Sequence, residues 1–394
     1  MVVARPLSDL LQYATVKIVM RVTPFVWLAF FASFILFGCN SPVTGPKPVN
    51  VARDLSNHPI YSSYVFDGSG KTINIGAQPL WIPTGHITEA MKRDQILRDS
   101  LADIGLKLKF FPFLKGDDVN YFVKRGKLDV GIVGDMPVLT IASAMKVTVP
   151  SLIQLGFTSI VANRHELLPN LSNKRIGYAF GSNAHYALLN ALAREGIEEG
   201  DVKLVAMDIV DMPSSLLDGK IFAFSAWEPT PTIAMILNAK ATVISRSQSS
   251  GYMYFTKKFA NEHPAAMRLL AAAEIRAIRW MQKDRKNLVQ AGTWSREAGE
   301  KLSGYKSKLS VRDYSKLAVQ DIIGISSLPN IPKEFLEDQG QLSKEFEFLK
   351  TLGKISPSIK WEVVKTSFDT RIVTEIVGEQ DKYRLNEFNF KELN

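Results

Sequence analysis

The sequence predicts an α/β fold of two Rossmann-like lobes joined by two crossover segments, and three observations carry that expectation. Short, nearly continuous apolar runs such as Leu128-Asp-Val-Gly-Ile-Val-Gly134 alternate with stretches of helical spacing, the pattern of a parallel sheet covered on both faces. The same strand–helix rhythm restarts at Arg175 and continues to about Ser245. Extended runs over Phe157–His165 and Gly251–Thr256 separate the two sets, as an outward and a return crossing. At 394 residues the chain is also too long for one compact core.

The elements follow in order. Thr72–Gln78 reads as a strand, Pro79–Gly85 as a loop, His86–Ile104 as a helix, Leu106–Phe113 as a strand and Asp117–Arg125 as a short helix. The strand ending at Gly134 precedes a helix over Pro137–Met145 and a β-rich run over Val147–Leu155. In the second set, a strand over Ile176–Phe180 stops at Gly181 and a helix runs over Asn183–Glu195. Val202–Val210, a short helix at Pro213–Leu217, the run Lys220–Trp227, a helix from Pro229 and a strand over Ala241–Ser245 complete it. Pro264–Lys283 is an amphipathic helix with Met267, Leu270, Ala271, Ile275, Ile278 and Met281 on one face. Helical segments continue to about Leu352, and the residues after it read as mixed and β-like. The expected division is 71–156 plus 251–353 for lobe 1, 157–250 for lobe 2 and 354–394 for a C-terminal extension.

Before the lobes, Val22–Gly38 forms an apolar core of about 14–17 residues behind Lys17 and Arg21, short for a membrane span and suited to a signal peptide. It ends at Cys39, the single cysteine, so no internal disulfide is expected. The stretch before Met20 reads as a polar preface, and Met20 is expected as the start. Residues 1–39 are expected as a lipoprotein-type signal, with Phe37 departing from the small residue usual two before the cysteine. Residues 40–70, rich in Pro, Ser, Gly and Asn, are expected as a flexible tether. Asp67-Gly-Ser-Gly-Lys-Thr72 is not a phosphate loop, since Val65 stands where the pattern needs glycine and a strand follows instead of a helix.

Hydrophobic content of 46%, with 22% charged residues and a net charge of +9, is ordinary for a globular protein and lacks a basic–aromatic run for nucleic acid. No His-x-x-x-His, Cys-x-x-Cys or Gly-x-Ser-x-Gly occurs, so neither a metal nor a cofactor nor catalysis is expected. Candidate residues gather instead at strand ends: Gly134 and Asp135, then Ser182, Asn183 and His185, then Trp227 and Glu228, with Trp81 in the loop after the first strand. In open α/β sheets that end is where ligands sit. Ser182 or Asn183 caps a helix whose first N–H groups favour an anion. Each residue has a plainer role as well: Asp135 and Glu228 suit first helical turns, His185 suits a packed hydrogen-bonded position, and Trp81 and Trp227 suit a core. One helix end supplies roughly 0.3–1 kcal/mol per charge, whereas micromolar affinity needs about 8 kcal/mol. Donors from both lobes must therefore close on a ligand by a hinge.

The runs Gly131-Ile-Val-Gly-Asp-Met-Pro137, Gly181-Ser-Asn-Ala-His-Tyr186, Ala226-Trp-Glu-Pro229 and Phe259-Ala-Asn-Glu-His-Pro264 resemble the solute-binding lipoproteins of ABC importers for nitrate, sulfonate and taurine. Leu336–Leu342 and Phe348–Gly353 are similar to that family's closing segments, so the resemblance spans about residues 72–353. It implies the type-II periplasmic-binding fold and a monomeric extracytoplasmic receptor, lipid-anchored through Cys39. Such a receptor hands a small anionic or zwitterionic solute to a permease driven by a separate ATPase. It also implies that Gly134, Asp135, Ser182, Asn183, His185, Trp227 and Glu228 face the ligand. Because buried like charges repel, Asp135 and Glu228 suit a solute that carries an amine beside its acid group, or else are neutralised by neighbours. A receptor or enzyme for a thiamine-pyrimidine precursor and a non-transport sensor with the same fold are the alternatives.

Overall fold

The computed structural model describes residues 54–324 and 329–393; the expected signal, Met20 and Cys39 lie outside them. The strands are β1 (Thr72–Ala77), β2 (Lys107–Pro112), β3 (Val130–Gly134), β4 (Val147–Ala162), β5 (Arg175–Tyr178), β6 (Lys203–Ala206), β7 (Ala223–Trp227) and β8 (Thr242–Thr256). They form one sheet in the order β2-β1-β3-β8-β4-β7-β5-β6. At one end β1 runs parallel to β2 and β3, and at the other β5 runs parallel to β6 and β7. Between them β4 and β8, of 16 and 15 residues, pair antiparallel with each other. At about 3.3 Å per residue each extends roughly 50 Å, enough to belong to both lobes. The two expected crossings are therefore continuous strands. Their register slips between Thr148 and Ser151, Leu152 and Gln154, and Ile160 and Val161.

Helices cover both faces. The first lobe carries α1 (Thr84–Arg93), α2 (Gln95–Asp103), α3 (Gly116–Lys124) and α4 (Asp135–Ala144), and the second α5 (Asn183–Arg194), α6 (Met212–Leu217) and α7 (Thr230–Leu237). After β8 come α8 (Lys257–Glu262), α9 (Pro264–Lys283), α10 (Arg285–Ser303), α11 (Val311–Gly324), α12 (Gln341–Thr351), α13 (Trp361–Lys365) and α14 (Arg371–Gly378). Leu270, Ile275 and Ile278 of α9 pack with Ile73, Val130 and Phe255 on one face of the first lobe. On the other face Val119, Val133, Leu139 and Phe346 pack with Tyr252. The run Ala271-Ala-Ala273 on α9 is fully buried, which lets its backbone approach the sheet closely.

Three local expectations change. The helix expected over His86–Ile104 is two helices broken at Asp94, whose backbone is not helical. Asp94 caps α2 by accepting from Leu97 N–H at 3.3 Å and receives Arg276 Nε and Nη2 at 2.8 and 2.6 Å. A buried ion pair of that geometry outweighs helix continuity. The expected tether is packed from Leu55 onward: Tyr61 is buried against Phe113 and Phe122, and its hydroxyl donates to Asp118 at 2.7 Å. The C-terminal residues are helical in α13 and α14 rather than β-like, with isolated bridges at Phe368 and Phe390. Phe388 stacks on Trp280 and Gln95 N–H donates to the Asn389 carbonyl, so the chain end lies across α9 and the α1–α2 elbow.

Candidate functional site

Strand register assembles the site. Gly134 of β3 pairs with Gly251 of β8, and Gly251 also pairs with Gln154 of β4. Two residues further along each strand, Gly156 pairs with Ser249, and then Thr158 pairs with both Ser247 and Trp227. Alternate residues of paired strands share a face, so Gly134, Gln154, Thr158, Trp227, Ser249 and Gly251 look the same way.

Two residues from outside these strands close on that face. A Cβ on Gly251 would lie 2.7 Å from the Trp81 ring, and one on Gly134 would lie 3.2 Å from Asn183 Cγ. Glycine is what lets both approach. Trp81 and Trp227 meet at a ring-centroid distance of 6.4 Å, tilted by 61°. Gln154 Oε1 accepts from the hydroxyl of Thr84 at 2.6 Å and fixes the start of α1 beside them. Trp227 Nε1 donates to the Leu80 carbonyl at 3.2 Å, and Ile82 N–H donates to the Glu228 carbonyl at 3.1 Å.

Four buried polar atoms on or against this face have no hydrogen-bond partner among the described residues: Trp81 Nε1, Asn183 Nδ2, Thr158 Oγ1 and Ser249 Oγ. Both nitrogens can only donate, and both oxygens belong to hydroxyls that can donate. Burying unpaired donors is costly, so these four atoms are the candidate contacts of this face. Thr158 and Ser249 were not among the residues expected from sequence. They lie on the crossing strands, where an isolated small hydroxyl has no local signature.

The α5 start is capped as expected. Gly181 adopts φ of 75°, and a Cβ there would meet Asp117 at 2.8 Å. Ser182 caps the helix, its Oγ accepting from His185 N–H at 3.3 Å and donating to the Ala179 carbonyl at 2.7 Å. Asn183 Oδ1 accepts from Ala184 N–H, leaving its amide nitrogen for the Gly134 side.

His185 stands apart from that face, its ring against Tyr178 and Phe180. Burial, aided by the charges of Lys354 and Lys115, pulls its pKa down to about 3, so the ring is neutral. Nδ1 accepts from Gly181 N–H at 3.5 Å, which leaves the proton on Nε2, itself buried and without a partner.

The two carboxylates both accept backbone N–H groups of the protein. Asp135 is 1% exposed; its oxygens accept from Met136 N–H and Ser250 N–H, each at 2.8 Å, and burial raises its pKa. Glu228 turns its carboxylate to Thr232 N–H at 3.3 Å in the first turn of α7, and burial raises its pKa too. Among the described residues no group of three or more His, Cys, Asp or Glu could hold a metal ion, and no helix is long and apolar enough to cross a membrane.

With this geometry, the alkanesulfonate-binding protein SsuA from Xanthomonas axonopodis pv. citri, bound to MOPS, aligns at a TM-score of 0.56 and 16% identity, covering 76% of this chain and 98% of that one. The fold is that of the periplasmic solute-binding proteins. The periplasmic aliphatic sulphonate binding protein SsuA from Escherichia coli aligns at 0.53 and 14% identity over 75% of this chain and 99% of its own. The periplasmic nitrate-binding protein NrtA from Synechocystis PCC 6803 aligns at 0.55 and 11% identity over 78% and 89%. The model of the NMT1-like family matches residues 119–294, from α3 into α10. No curated protein matches the sequence. The periplasmic-binding fold implied by the sequence motifs is thus the fold observed, and what the chain shares with these structures is its backbone architecture.

Proposed function

We propose that the protein is the extracytoplasmic solute-binding component of an ABC importer and that it captures a small oxyanion, an alkanesulfonate or nitrate-like solute, by closure of its two lobes. The observation that carries the reading is the set of unpartnered donors around Gly134 and Gly251, contributed by Trp81, Thr158, Asn183 and Ser249. A deprotonated oxyanion presents only acceptors, so it matches donors without leaving new groups unpaired. Both Asp135 oxygens and one Glu228 oxygen already accept backbone N–H groups, which weakens the case for an amine on the solute. A pyrimidine offers donors as well as acceptors and fits such a set less completely. The resemblance of the backbone to sulfonate- and nitrate-binding proteins supports the same solute class. Anchoring through Cys39 and delivery to a permease complete the reading; Cys39→Ser should release the protein from membranes.

A thermal-shift panel of alkanesulfonates, taurine, nitrate, bicarbonate, phosphonates and pyrimidines tests the solute class. A sulfonate or nitrate should raise Tm by several degrees without being consumed. Stabilisation by pyrimidines alone, or by none of the panel, would overturn the reading.

A further inference from the structure

The two ends of the sheet far from the solute site are built alike and charged differently. At the first lobe's end, lysines stand in a row across five strands. Lys107 opens β2, and its N–H donates at 2.9 Å to the carbonyl of Lys71, the residue before β1. Lys127 lies just ahead of β3, which pairs with β1 from Val130 on. Because β8 runs against β3, it finishes at the same end, with Phe255 opposite Val130 and Lys257 and Lys258 directly after Thr256. Lys146 precedes β4, and its carbonyl accepts from Lys257 N–H at 3.1 Å. At about 4.8 Å per strand the row is roughly 20 Å long. All six lysines are exposed, and none makes an ion pair among the described residues. Of the carboxylates at this end, Asp129 accepts from Asn74 N–H at 2.8 Å and Asp369 is held by Arg371 at 2.9 Å, while Asp103 and Glu262 are exposed. The far end of the second lobe repeats the geometry, with Lys203 N–H donating to the Lys174 carbonyl at 2.8 Å. There, however, Glu198, Glu199 and Asp201 fill the turn before β6, Lys220 pairs with Asp218 at 2.9 Å, and Arg164 lies 3.8 Å from Glu166. Helix ends that feed a parallel sheet favour cations in either lobe. In the second lobe they are matched, and in the first they are not.

The described chain begins on the same side. Asp54 accepts from the Tyr121 hydroxyl near the end of α3, and Arg125 lies over the Tyr121 ring, just before Lys127. Fully extended, residues 40–53 span no more than about 50 Å. Resting on the Cys39 anchor proposed above, the row is therefore within reach of the bilayer. Lysine ammoniums on mobile stems act as point charges, suited to a diffuse anionic surface more than to one planar partner. Each lysine close to such a surface is worth about fivefold in partition, and the effect fades over a Debye length of about 8 Å at physiological salt. We infer that the row docks on anionic phospholipid headgroups, so that the anchored protein rests on the base of its first lobe. The chain from Lys127 through β3 to Gly134 then holds the solute site roughly 20 Å above the headgroups.

Amine acetylation read by peptide mass spectrometry tests this on the whole protein, reconstituted by detergent removal into vesicles of phosphatidylcholine alone or with about one-third phosphatidylglycerol. On the anionic vesicles Lys107, Lys127 and Lys257 should be labelled severalfold less than on the neutral ones, while Lys203, Lys220 and Lys240 of the second lobe stay unchanged. Salt at about 1 M should remove the protection. The combined variant Lys107→Glu, Lys127→Glu and Lys257→Glu should melt as wild type does and lose the protection at Lys71, Lys146 and Lys258. The matching variant Lys203→Glu, Lys220→Glu and Lys240→Glu should keep it. Equal labelling on both kinds of vesicle overturns the inference, as does equal protection of the two lobes. Protein that fails to float with neutral vesicles brings down the Cys39 anchor instead. Salt-sensitive flotation with anionic vesicles, lost in the first variant, would then still uphold the row, and flotation with neither kind would sink it.

Discussion

Among single residues, those most informative about function are Thr158 and Ser249, because their hydroxyls are buried and unpartnered. Thr158→Val and Ser249→Ala remove the hydroxyl at nearly constant shape, so the ligand-free protein should melt at the same temperature or slightly higher. Solute affinity should fall about tenfold for each, the effect of one lost hydrogen bond of roughly 1–1.5 kcal/mol. Unchanged affinity in both variants would place the solute elsewhere. The contrast with Ser182 shows what could be read from the sequence. A serine after a φ-positive glycine at the head of a helical run announces a cap by its neighbours alone, and Ser182 is one. Nothing beside Thr158 in Phe157-Thr-Ser-Ile-Val161 distinguishes it from any strand threonine. Only pairing with Ser247 and Trp227 turns it toward Trp81, and that register depends on strands about 70 and 90 residues away.

At the scale of elements, α9 holds two buried ionisable groups whose fates differ. Arg276 has Asp94 and donates as well to the Tyr383 carbonyl at 2.7 Å. Among the described residues Glu274 has the Ser151 hydroxyl at 2.6 Å, and its other oxygen has no partner there. Burial pushes the Glu274 carboxyl up to about 8 from an ordinary 4.5. Below pH 4.5 the folded and unfolded chains both hold the proton. Between 4.5 and 8 the unfolded chain releases it while the folded chain keeps it, so stability falls as pH rises through that window. Glu274→Gln should therefore raise stability by on the order of 2 kcal/mol at pH 7 and change it little at pH 4, as measured by urea unfolding at both values. A variant equally or less stable at pH 7 would show that Glu274 is ionised and matched in the fold. The periodicity of α9 was legible because its apolar face repeats locally. The break at Asp94 was not, because its cause is Arg276, 182 residues downstream. The helices α13 and α14 are five and eight residues long, too short for periodicity to separate them from strands.

In the molecule as a whole, the two ends of the sheet meet beside the long strands β4 and β8. Asn183 lies against Gly134, Gly181 against Asp117, Tyr186 against Phe348, and Ile82 is bonded to the Glu228 carbonyl. Buried donors between such surfaces are shielded only while the surfaces meet, so solute capture and lobe closure are one event on this reading. The geometry allows closure to be trapped. A Cβ at position 134 would lie 3.4 Å from the Cβ of residue 183, close to the separation of about 3.5–4.5 Å that a disulfide bridges. In a Cys39→Ser background, Gly134→Cys combined with Asn183→Cys should form that bridge on mild oxidation, detected as loss of both free thiols. The bridged protein should be more stable by about 2–4 kcal/mol and should no longer contract in solution scattering when solute is added. The reduced double variant should still contract if any binding survives the loss of Asn183. Thiols that stay free under oxidation would mean that residues 134 and 183 do not meet in solution, and the clamp between Gly134 and the start of α5 would have to be abandoned.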